Sequence, residues 1–336
     1  MKHNRRYPSS SDVARLAGFS QSTVSRAYSK DMRISEETRH KVFEAAKKLD
    51  YSPNLIPRIL LKHRSHLVAV VVSSTINSFY ALALEEFTKA LQKTGHQVLL
   101  VYVDSDHSLD SAVPRLESYR VDAIVSALPV LSEGAAKALA RIKIPTISFN
   151  TPVKNLWVAS VCSDGAGGAS AIADLFVARG ARSFGFIAGS EGSYASNERL
   201  RGYTSRLREH DFTHVEIATG DFSYDGGSNA ILALRERGPI PEAMFCANDL
   251  MAIGALDALK RSIGLRVPED VLVAGFDDVP EASWHAYDLT TVVQDCPAMV
   301  AVAMSILQSM MSSAGSAGGI RRIVPSKLIE RSTTLR

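Results

Sequence analysis

The chain has little cysteine and lacks an apolar run long enough for a membrane helix. Its three cysteines, Cys162, Cys246 and Cys296, lie far apart without a CxxC pair. This spacing argues against a disulfide framework or a cysteine zinc site and fits a reducing cytosol. A bilayer span needs roughly 20 apolar residues, so we predict no membrane partner. The basic N-terminus has no apolar core typical of a secretory signal, which predicts a cytoplasmic protein.

Motifs for catalysis and cofactor binding are also missing. The nine histidines contain no HExxH motif. The glycine-rich segment DGAGGAS, residues 164–170, lacks the lysine and spacing of a Walker loop and the GxGxxG spacing of a dinucleotide site. We interpret its glycines as sites of close helix–strand packing. The sequence therefore predicts no enzyme activity, no cofactor and no metal site.

Charge is distributed unevenly along the 336 residues, a length that favours more than one domain. Residues 1–64 contain 14 Lys and Arg against 6 Asp and Glu, a net charge of +8. The remainder contains 24 basic and 29 acidic residues, a net charge of −5. A basic head on a slightly acidic body predicts that only the head binds a polyanion. A solvated charged surface is the alternative.

The head has the pattern of three short helices. The first opens at residues 9–12, where a serine hydroxyl and Asp12 can cap it, and Gly18 permits a tight turn. The second covers Gln21–Tyr28, and the third runs from Ser35 to about Asp50. Apolar residues at helical spacing predict an inward face, with Phe19 beneath the turn; they are Val13, Leu16, Ala17, Val24, Ala27, Val42, Ala45, Ala46 and Leu49.

Two helices joined by a short glycine turn are typical of a helix-turn-helix. In that geometry the start of the second helix enters the DNA major groove. Gln21 and Ser22 would then contact base edges, while hydroxyl and guanidinium groups beside them can bond phosphates or a guanine. An αα-hairpin that binds nothing is the alternative, and the local charge favours DNA. The predicted DNA-binding residues of this helix are Ser20, Gln21, Ser22, Thr23, Ser25 and Arg26.

From Leu67 onward, apolar strands alternate with helices. This order predicts parallel sheets covered on both faces, and the number of strand-like runs favours two α/β lobes. Ligands of such sheets bind beyond the carboxyl ends of the strands. Polar groups that follow strands are therefore candidates, and two aromatic rings could form walls. These candidates are Ser73, Asn150, Asn248 and Asp277, with Phe79 and Phe222 as walls.

Residues 11–26, SDVARLAGFSQSTVSR, resemble the DVAxxAGVSxxTVSR signature of the LacI/GalR family of bacterial transcriptional regulators. Residues 34–54, ISEETRHKVFEAAKKLDYSPN, continue the resemblance, and the body resembles the family's periplasmic-binding-protein-like core. The resemblance covers essentially the full chain. It implies a small all-α helix-turn-helix domain joined to an α/β core of two doubly wound lobes.

The resemblance implies a helix-turn-helix domain at 1–51, a hinge at 52–65 and an effector-binding and dimerisation core at 66–336. Lobe one would cover about 66–160 and 295–325, and lobe two about 161–290 and 326–336. In the family, the hinge forms a helix on DNA. Asn54 would help cap that helix, and Leu60 matches a leucine that wedges into the minor groove. The hinge departs from the family pattern at Leu55, Pro57 and Ile59, and a flexible tether is the alternative reading of its role.

The resemblance also assigns effector contacts to residues of the core. Asn150 stands where many members have Asp, which could mark a different effector. For Asp249, beside Asn248, we favour capping of the following helix over ligand contact, and a surface ion pair is the alternative for Arg199. The implied partners are a near-palindromic double-stranded DNA operator, a small-molecule effector and a second copy in a homodimer. The family's usual effector is a sugar or sugar derivative, and a nucleobase is the alternative. A transport solute receptor shares this core but would need export. The complete predicted effector set is Ser73, Phe79, Asn150, Arg199, Phe222, Asn248, Asp277 and Gln294.

Overall fold

The computed structural model describes residues 8–28, 33–52, 65–73, 77–103, 108–128, 134, 137, 141–153, 157–312 and 319–335. Contacts divide the chain into two compact units that meet in sequence at Ser65 and His66. The predicted hinge residues Asn54 and Leu60 lie outside the described residues.

The first unit contains the three predicted helices: α1 (Ser10–Ala17), α2 (Gln21–Ala27) and α3 (Glu36–Lys48). Serine side chains cap all three helices at their N-termini, as the sequence pattern predicts. Ser9 and Asp12 form a reciprocal capping box, and Gly18 ends α1 with a φ of 74°. Local sequence therefore sets where the three helices begin and where α1 ends.

A small apolar core joins the three helices of this unit. Phe19 and Leu49 pack against its edge, as predicted. The prediction for Leu16 is wrong, because its surface is 51% exposed. At 3.6 residues per turn, Leu16 lies roughly 90° from the centre of the α1 face that packs inward, and a helix this short cannot bury that flank. The fully buried members of the core are Val13, Ala14, Val24, Ala27, Val42, Ala45 and Ala46.

The second unit contains two parallel sheets and one antiparallel pair, in agreement with the predicted α/β class. The strands are β1 (Leu67–Ser73), β2 (Gln97–Val103), β3 (Ala123–Ser126), β4 (Thr146–Phe149), β5 (Val158–Ser163), β6 (Phe184–Ala188), β7 (Glu216–Thr219), β8 (Ala243–Cys246), β9 (Leu272–Ala274), β10 (Thr291–Gln294), β11 (Arg321–Val324) and β12 (Ser326–Ile329). The six-stranded sheet has the order β11-β5-β4-β3-β1-β2, the four-stranded sheet has the order β7-β6-β8-β9, and β10 pairs with β12.

Helices of this unit follow the strands and cover the sheets. A π-helical segment, Ala258–Ile263, continues the sixth of them. None of the described helices combines the length and apolarity needed to cross a bilayer. The helices are α4 (Ser78–Lys93), α5 (Ser108–Tyr119), α6 (Gly165–Ala178), α7 (Tyr194–Glu209), α8 (Tyr224–Arg237), α9 (Asp249–Asp257) and α10 (Cys296–Ser312).

The two parallel sheets define two lobes, and the chain passes between them after β5, along β10 and after β11. The division we predicted at 160/161 falls within β5, whose last residue, Ser163, pairs with Val324 in the six-stranded sheet. The strands β3, β4, β5 and β8 are buried at every residue, whereas most residues of the edge strands β2, β7 and β11 are exposed or half-buried. The segments that follow the strands consequently carry the polar side chains of the unit.

Candidate functional site

Polar and aromatic side chains from both lobes surround a pocket in the second unit. They follow the carboxyl ends of β1, β4, β6, β7 and β9, and one side chain ends the connecting strand β10. This is the place where open parallel sheets bind ligands. The residues that line the pocket are Asn77, Phe79, Tyr80, Asn150, Ser193, Ala195, Arg199, Phe222, Asp277 and Gln294.

A buried hydrogen-bond network runs across this pocket from one lobe to the other. Asn77 Nδ2 donates to Asp277 Oδ2 at 3.0 Å, and Gln294 Nε2 donates to Asp277 Oδ1 at 2.5 Å. Asn150 Nδ2 in turn donates to Gln294 Oε1 at 3.0 Å. Asp277 belongs to the lobe of the four-stranded sheet, whereas Asn77 and Asn150 follow strands of the other sheet. The carboxylate is therefore the meeting point of the two lobes.

Arg199 neutralises this carboxylate from within its own lobe. The guanidinium is buried, and its Nη2 lies 3.2 Å from Asp277 Oδ1 while Nη1 donates to the carbonyl of Ala247. Its Cζ stacks 3.8 Å from the centroid of the Phe276 ring. The Nε atom is buried without a hydrogen-bond partner among the described residues. A ligand oxygen could satisfy that donor, since an unpaired buried donor is costly.

Burial sets the protonation behaviour of these groups. Desolvation raises the pKa of Asp277, and the Arg199 charge together with donors from Asn77 and Gln294 opposes that rise. Desolvation lowers the pKa of Arg199, and the attraction of Asp277 opposes that fall. Burial also raises the pKa of Tyr80, with a further contribution from Asp277. Each charge of the pair therefore depends on the other to remain ionised.

The backbone at the pocket is strained. Asn150 and Phe222 have φ values of 64° and 68°, and Asp277 has 125°, all in a region that side chains with a Cβ avoid. Asn248 Nδ2 donates to the carbonyl of Phe222 at 3.0 Å, which holds that unusual conformation. Gly189 gives the ring its space, because a Cβ there would stand 2.1 Å from Phe222 Cζ. Asn248 and Gly189 thus set the position of the Phe222 ring.

Six of the eight predicted effector residues line the pocket. Asn248 does not line the pocket; its Oδ1 caps α9 by accepting from Met251 N at 3.0 Å. Our expectation that Asp249 caps this helix is wrong, since Asn248 already occupies the cap. The side chain of Ser73 is outside the part of the chain that the structure describes.

Asp249 instead links three buried segments. Thr291 Oγ1 donates to Asp249 Oδ1 at 2.5 Å, and the Val279 N–H donates to Oδ2 at 2.9 Å. Burial, with the nearby charge of Asp277, raises the pKa of Asp249 to about 8. The residue therefore fixes the loop after β9 and the connecting strand β10 from behind the pocket.

Sequence reasoning missed Asn77, Tyr80, Ser193 and Ala195 as lining residues. The signal for Asn77 and Ser193 was available, because each precedes a helix as an N-cap and follows a strand of a parallel sheet. Asn77 Oδ1 accepts from Phe79 N at 3.0 Å, so this one side chain both starts α4 and donates to Asp277. Ala195 carries no polar signal that a sequence could show.

In the head, polar side chains lie at the start of α2, and unlike those of the pocket most of them are exposed. Gln21, Ser22, Ser25 and Arg26 are exposed, and Thr23 is half-buried. Ser20 caps α2 by accepting from Thr23 N at 3.1 Å. The Gln21 amide donates to Ser10 Oγ at 2.8 Å, which ties the start of α2 to α1. These predicted DNA-binding side chains therefore lie together on one exposed helical turn and its neighbour.

Two histidines have the HxxxH spacing found in some metal sites, His210 and His214. They do not share a helix face, because α7 ends at Glu209. His210 Nε2 lies 2.7 Å from Asp174 Oδ1, and His214 Nε2 lies 2.8 Å from Glu216 Oε1. Separate carboxylates engage them, so this spacing does not mark one site.

Two family patterns match the chain. The family described as bacterial regulatory proteins, lacI family, matches residues 11–54, and the periplasmic binding protein-like domain matches residues 173–334. The transcriptional regulator CelR of Thermobifida fusca is 34% identical over 301 residues, which cover 86% of this chain and 88% of that protein. The lactose operon repressor of Escherichia coli is 29% identical over 331 residues, which cover 96% and 90%.

Solved structures give the same result for the fold. The lac repressor dimer bound to operator and the anti-inducer ONPF matches with a TM-score of 0.88 and 28% identity, covering 98% of this chain and all of that one. The CelR–cellobiose complex matches with a TM-score of 0.73 and 29% identity, covering 97% and 99%. The identity and coverage shared with CelR extend over both units. The chain therefore belongs to the lacI family of bacterial regulatory proteins.

Proposed function

We propose that this chain is a DNA-binding transcriptional repressor whose operator affinity is controlled by a small neutral sugar. The head binds the operator through the start of α2, with Gln21 and Ser22 at base edges and Thr23, Ser25 and Arg26 at phosphates or a guanine. The sugar binds in the pocket between the lobes. The observation that carries the proposal is the buried network that joins Asn77 and Asn150 to Asp277 and Gln294.

The network supports ligand control because it is shared between lobes. A ligand changes a conformational equilibrium only by binding its two states with different affinity. A sugar hydroxyl that replaces the Asn77–Asp277 or Asn150–Gln294 contact changes what holds the lobes together. Sugar binding would therefore alter lobe closure, and closure would alter how the two heads of a dimer meet DNA.

The charge balance of the pocket supports a neutral ligand. The formal charges of Arg199 and Asp277 cancel, and the other described lining side chains are amides, hydroxyls, aromatic rings and one methyl group. A sugar carboxylate or phosphate would need a surplus cation, because a buried unpaired charge is costly. Amides and a paired carboxylate suit hydroxyls, which both donate and accept. The complex of CelR with cellobiose supports the same class of ligand.

The assembly we propose is a homodimer on a near-palindromic operator. The lac repressor structure is of a dimer bound to operator, and two symmetric heads require two half-sites. We also infer a binding role for the pocket, with no catalytic step, because the relatives are transcriptional regulators. Sugar incubated with the protein should accordingly be recovered unchanged.

A thermal-shift screen tests the ligand class. Glucose, ribose and cellobiose would be compared with glucuronate and galacturonate, using the intact chain and the Arg199→Met variant. We expect at least one neutral sugar to raise the melting temperature of the wild type by mass action and to leave the variant unchanged. A sugar acid that stabilises the wild type more than its neutral counterpart would contradict the charge argument.

Operator binding tests the rest of the proposal. Fragments selected from genomic DNA by the protein would be titrated at several salt concentrations. We expect affinity for the selected fragment to exceed that for random DNA by roughly 10³-fold or more, and to fall steeply with salt. The stabilising sugar should weaken that affinity. Equal affinity for selected and random DNA would refute the proposal.

A further inference from the structure

Three residues distant in sequence meet at the amino-terminal edge of the six-stranded sheet. His66 immediately precedes β1, His96 precedes β2, and Asp122 precedes β3. One ligand atom from each lies within 4.8 Å of the others. Sequence analysis predicted no metal site, because these residues share no motif and only the strand pairing brings them together.

The register of the sheet places His66, His96 and Asp122 next to one another. Strand β1 lies between β2, at the edge of the sheet, and β3. Leu67 pairs with Gln97 and Val68 pairs with Ala123, so the residues just before these strands emerge side by side. The backbone bonds extend through the cluster, since Gln97 N donates to the His66 carbonyl at 2.7 Å. The three side chains are therefore carried by a rigid element, which is what a metal site needs.

The geometry points to a divalent transition-metal site, of which Zn²⁺ is the representative ion, formed by His66, His96 and Asp122. Two imidazoles and one carboxylate are a ligand set that zinc uses, with water completing a tetrahedron. His66 is exposed and the other two residues are half-buried, so solvent can supply that water.

Hydrogen bonds in the structure orient the ligands. Thr94 Oγ1 lies 3.0 Å from His96 Nδ1, and this contact orients the imidazole. The His66 N–H donates to Asp122 Oδ2 at 2.9 Å, which holds the carboxylate beside the two imidazoles. His66 also has a φ of 55°, an unfavourable backbone angle that the surrounding sheet maintains.

Closing the site requires only side-chain movement. Zinc ligands at about 2.1 Å from the ion stand roughly 3.4 Å apart in a tetrahedron. The ligand atoms lie within 4.8 Å of one another, so binding an ion requires them to approach by at most about 1.4 Å. The imidazoles stand with centroids 5.8 Å apart, and rotation about their side-chain bonds can provide this change.

This metal site is independent of the sugar pocket. The pocket lies beyond the carboxyl ends of the strands, whereas the three ligands precede the amino ends of β1, β2 and β3. Strand β1 has seven residues, a length of about 23 Å. In sequence, the first of the three ligands, His66, directly follows Ser65.

Calorimetry with ZnCl₂ on the intact, tag-free chain tests the site. We expect one ion per chain, and we expect His66→Gln, His96→Gln and Asp122→Asn each to weaken its binding by more than about tenfold. His285→Gln is the matched control, because His285 is exposed and lies in the other lobe. Equal affinity in all four variants, or no saturable binding by the wild type, would overturn the proposal.

A second measurement needs no variant. Co²⁺ added to the wild type should give the visible absorption of a cobalt ion with nitrogen and oxygen ligands in four-coordinate geometry, and excess Zn²⁺ should remove it. A spectrum identical to that of Co²⁺ in buffer would overturn the proposal. Circular dichroism in EDTA checks that each variant is folded, and the sugar-induced thermal shift of His96→Gln should match that of the wild type.

Discussion

The start of α2 in the head and the pocket in the core both present polar side chains, but they hold them in opposite ways. On α2, Gln21 and Ser22 are exposed, and their hydrogen bonds compete with water. In the pocket, Arg199 and Asp277 are 2–3% exposed and bond to each other and to buried amides. Helix caps and a small apolar core stabilise the head, whereas the hydrogen-bond network of the pocket residues themselves stabilises the pocket.

Because of this difference, DNA recognition by α2 is independent of folding stability, whereas ligand binding in the pocket is coupled to it. Exposed side chains can be replaced with little effect on folding, so substitutions on α2 should change DNA binding alone. Buried paired groups leave an unsatisfied partner when one is removed, so substitutions in the pocket should change ligand binding and unfolding together. Four substitutions test this contrast, in order of decreasing effect.

Replacing Arg199 should have the largest effect. Arg199→Met leaves the Asp277 carboxylate buried without its cation, so the free energy of unfolding should fall by about 3–5 kcal/mol, and sugar binding should be lost. Urea denaturation and calorimetry measure the two effects. Arg201→Met is the control, because that side chain is 61% exposed and pairs only at the surface with Glu198; its loss should stay within about 1 kcal/mol. Similar losses for both arginines would contradict the assignment.

Replacing Gln294, whose amide connects Asn150 to Asp277, should have the next largest effect on the core. Gln294→Leu deprives Asp277 of a donor and Asn150 of an acceptor, which should cost about 1–3 kcal/mol of unfolding free energy and weaken sugar binding. Urea denaturation measures the first and calorimetry the second. Gln308→Leu, at an exposed position of α10, should change stability by less than about 0.5 kcal/mol. An unchanged sugar affinity in Gln294→Leu would show that the lobes are not coupled through this residue.

On the head, Gln21→Ala should weaken operator binding without destabilising the chain. Loss of a base contact should cost about 1–3 kcal/mol for the operator and nothing for random DNA. Fluorescence anisotropy with labelled duplexes measures both, and Gln92→Ala on exposed α4 surface is the control of the same residue type. An equal loss on operator and random DNA would assign Gln21 to the backbone and remove its specificity role.

Removal of a helix cap should have the smallest effect. Ser35 Oγ accepts from Thr38 N at 3.2 Å at the start of α3, and Ser35→Ala should cost about 1 kcal/mol. Hydrogen exchange of α3 amides in the intact chain should therefore quicken roughly fivefold. Ser35→Asp, another good cap, should restore protection. If Ser35→Ala leaves exchange unchanged, the helices of the head do not depend on their caps.

The caps were predictable because they are local. Ser9, Ser20 and Ser35 stand just before helical patterns, where a hydroxyl can accept from an unpaired N–H of the first turn. Parallel strands were equally evident from their apolar runs. The pocket residues that follow strands, such as Asn150 and Asp277, came from the rule that ligands bind at the carboxyl edge. Resemblance to the family supplied Arg199 and Gln294, which lie within a helix and at the end of a connecting strand.

Other features depend on packing that no local pattern shows. Asn248 follows a strand as Asn150 does, yet it turns to Phe222 and Met251, so the rule alone cannot tell a lining residue from a supporting one. Leu16 fits the helical spacing but has no partner surface within the head core. The cluster of His66, His96 and Asp122 arises from strand register, which single segments do not specify. Tertiary pairing, rather than propensity, decides these cases.

If the pocket controls the affinity of the head for DNA, then sugar binding and operator binding are coupled. Operator affinity of the intact chain, measured by anisotropy with and without the stabilising sugar, tests it most directly when paired with Arg199→Met. We expect sugar to weaken operator binding by the wild type at least fivefold, corresponding to a coupling of about 1 kcal/mol, and to have no effect on the variant. An operator affinity that is the same with and without a sugar the wild type demonstrably binds would contradict it.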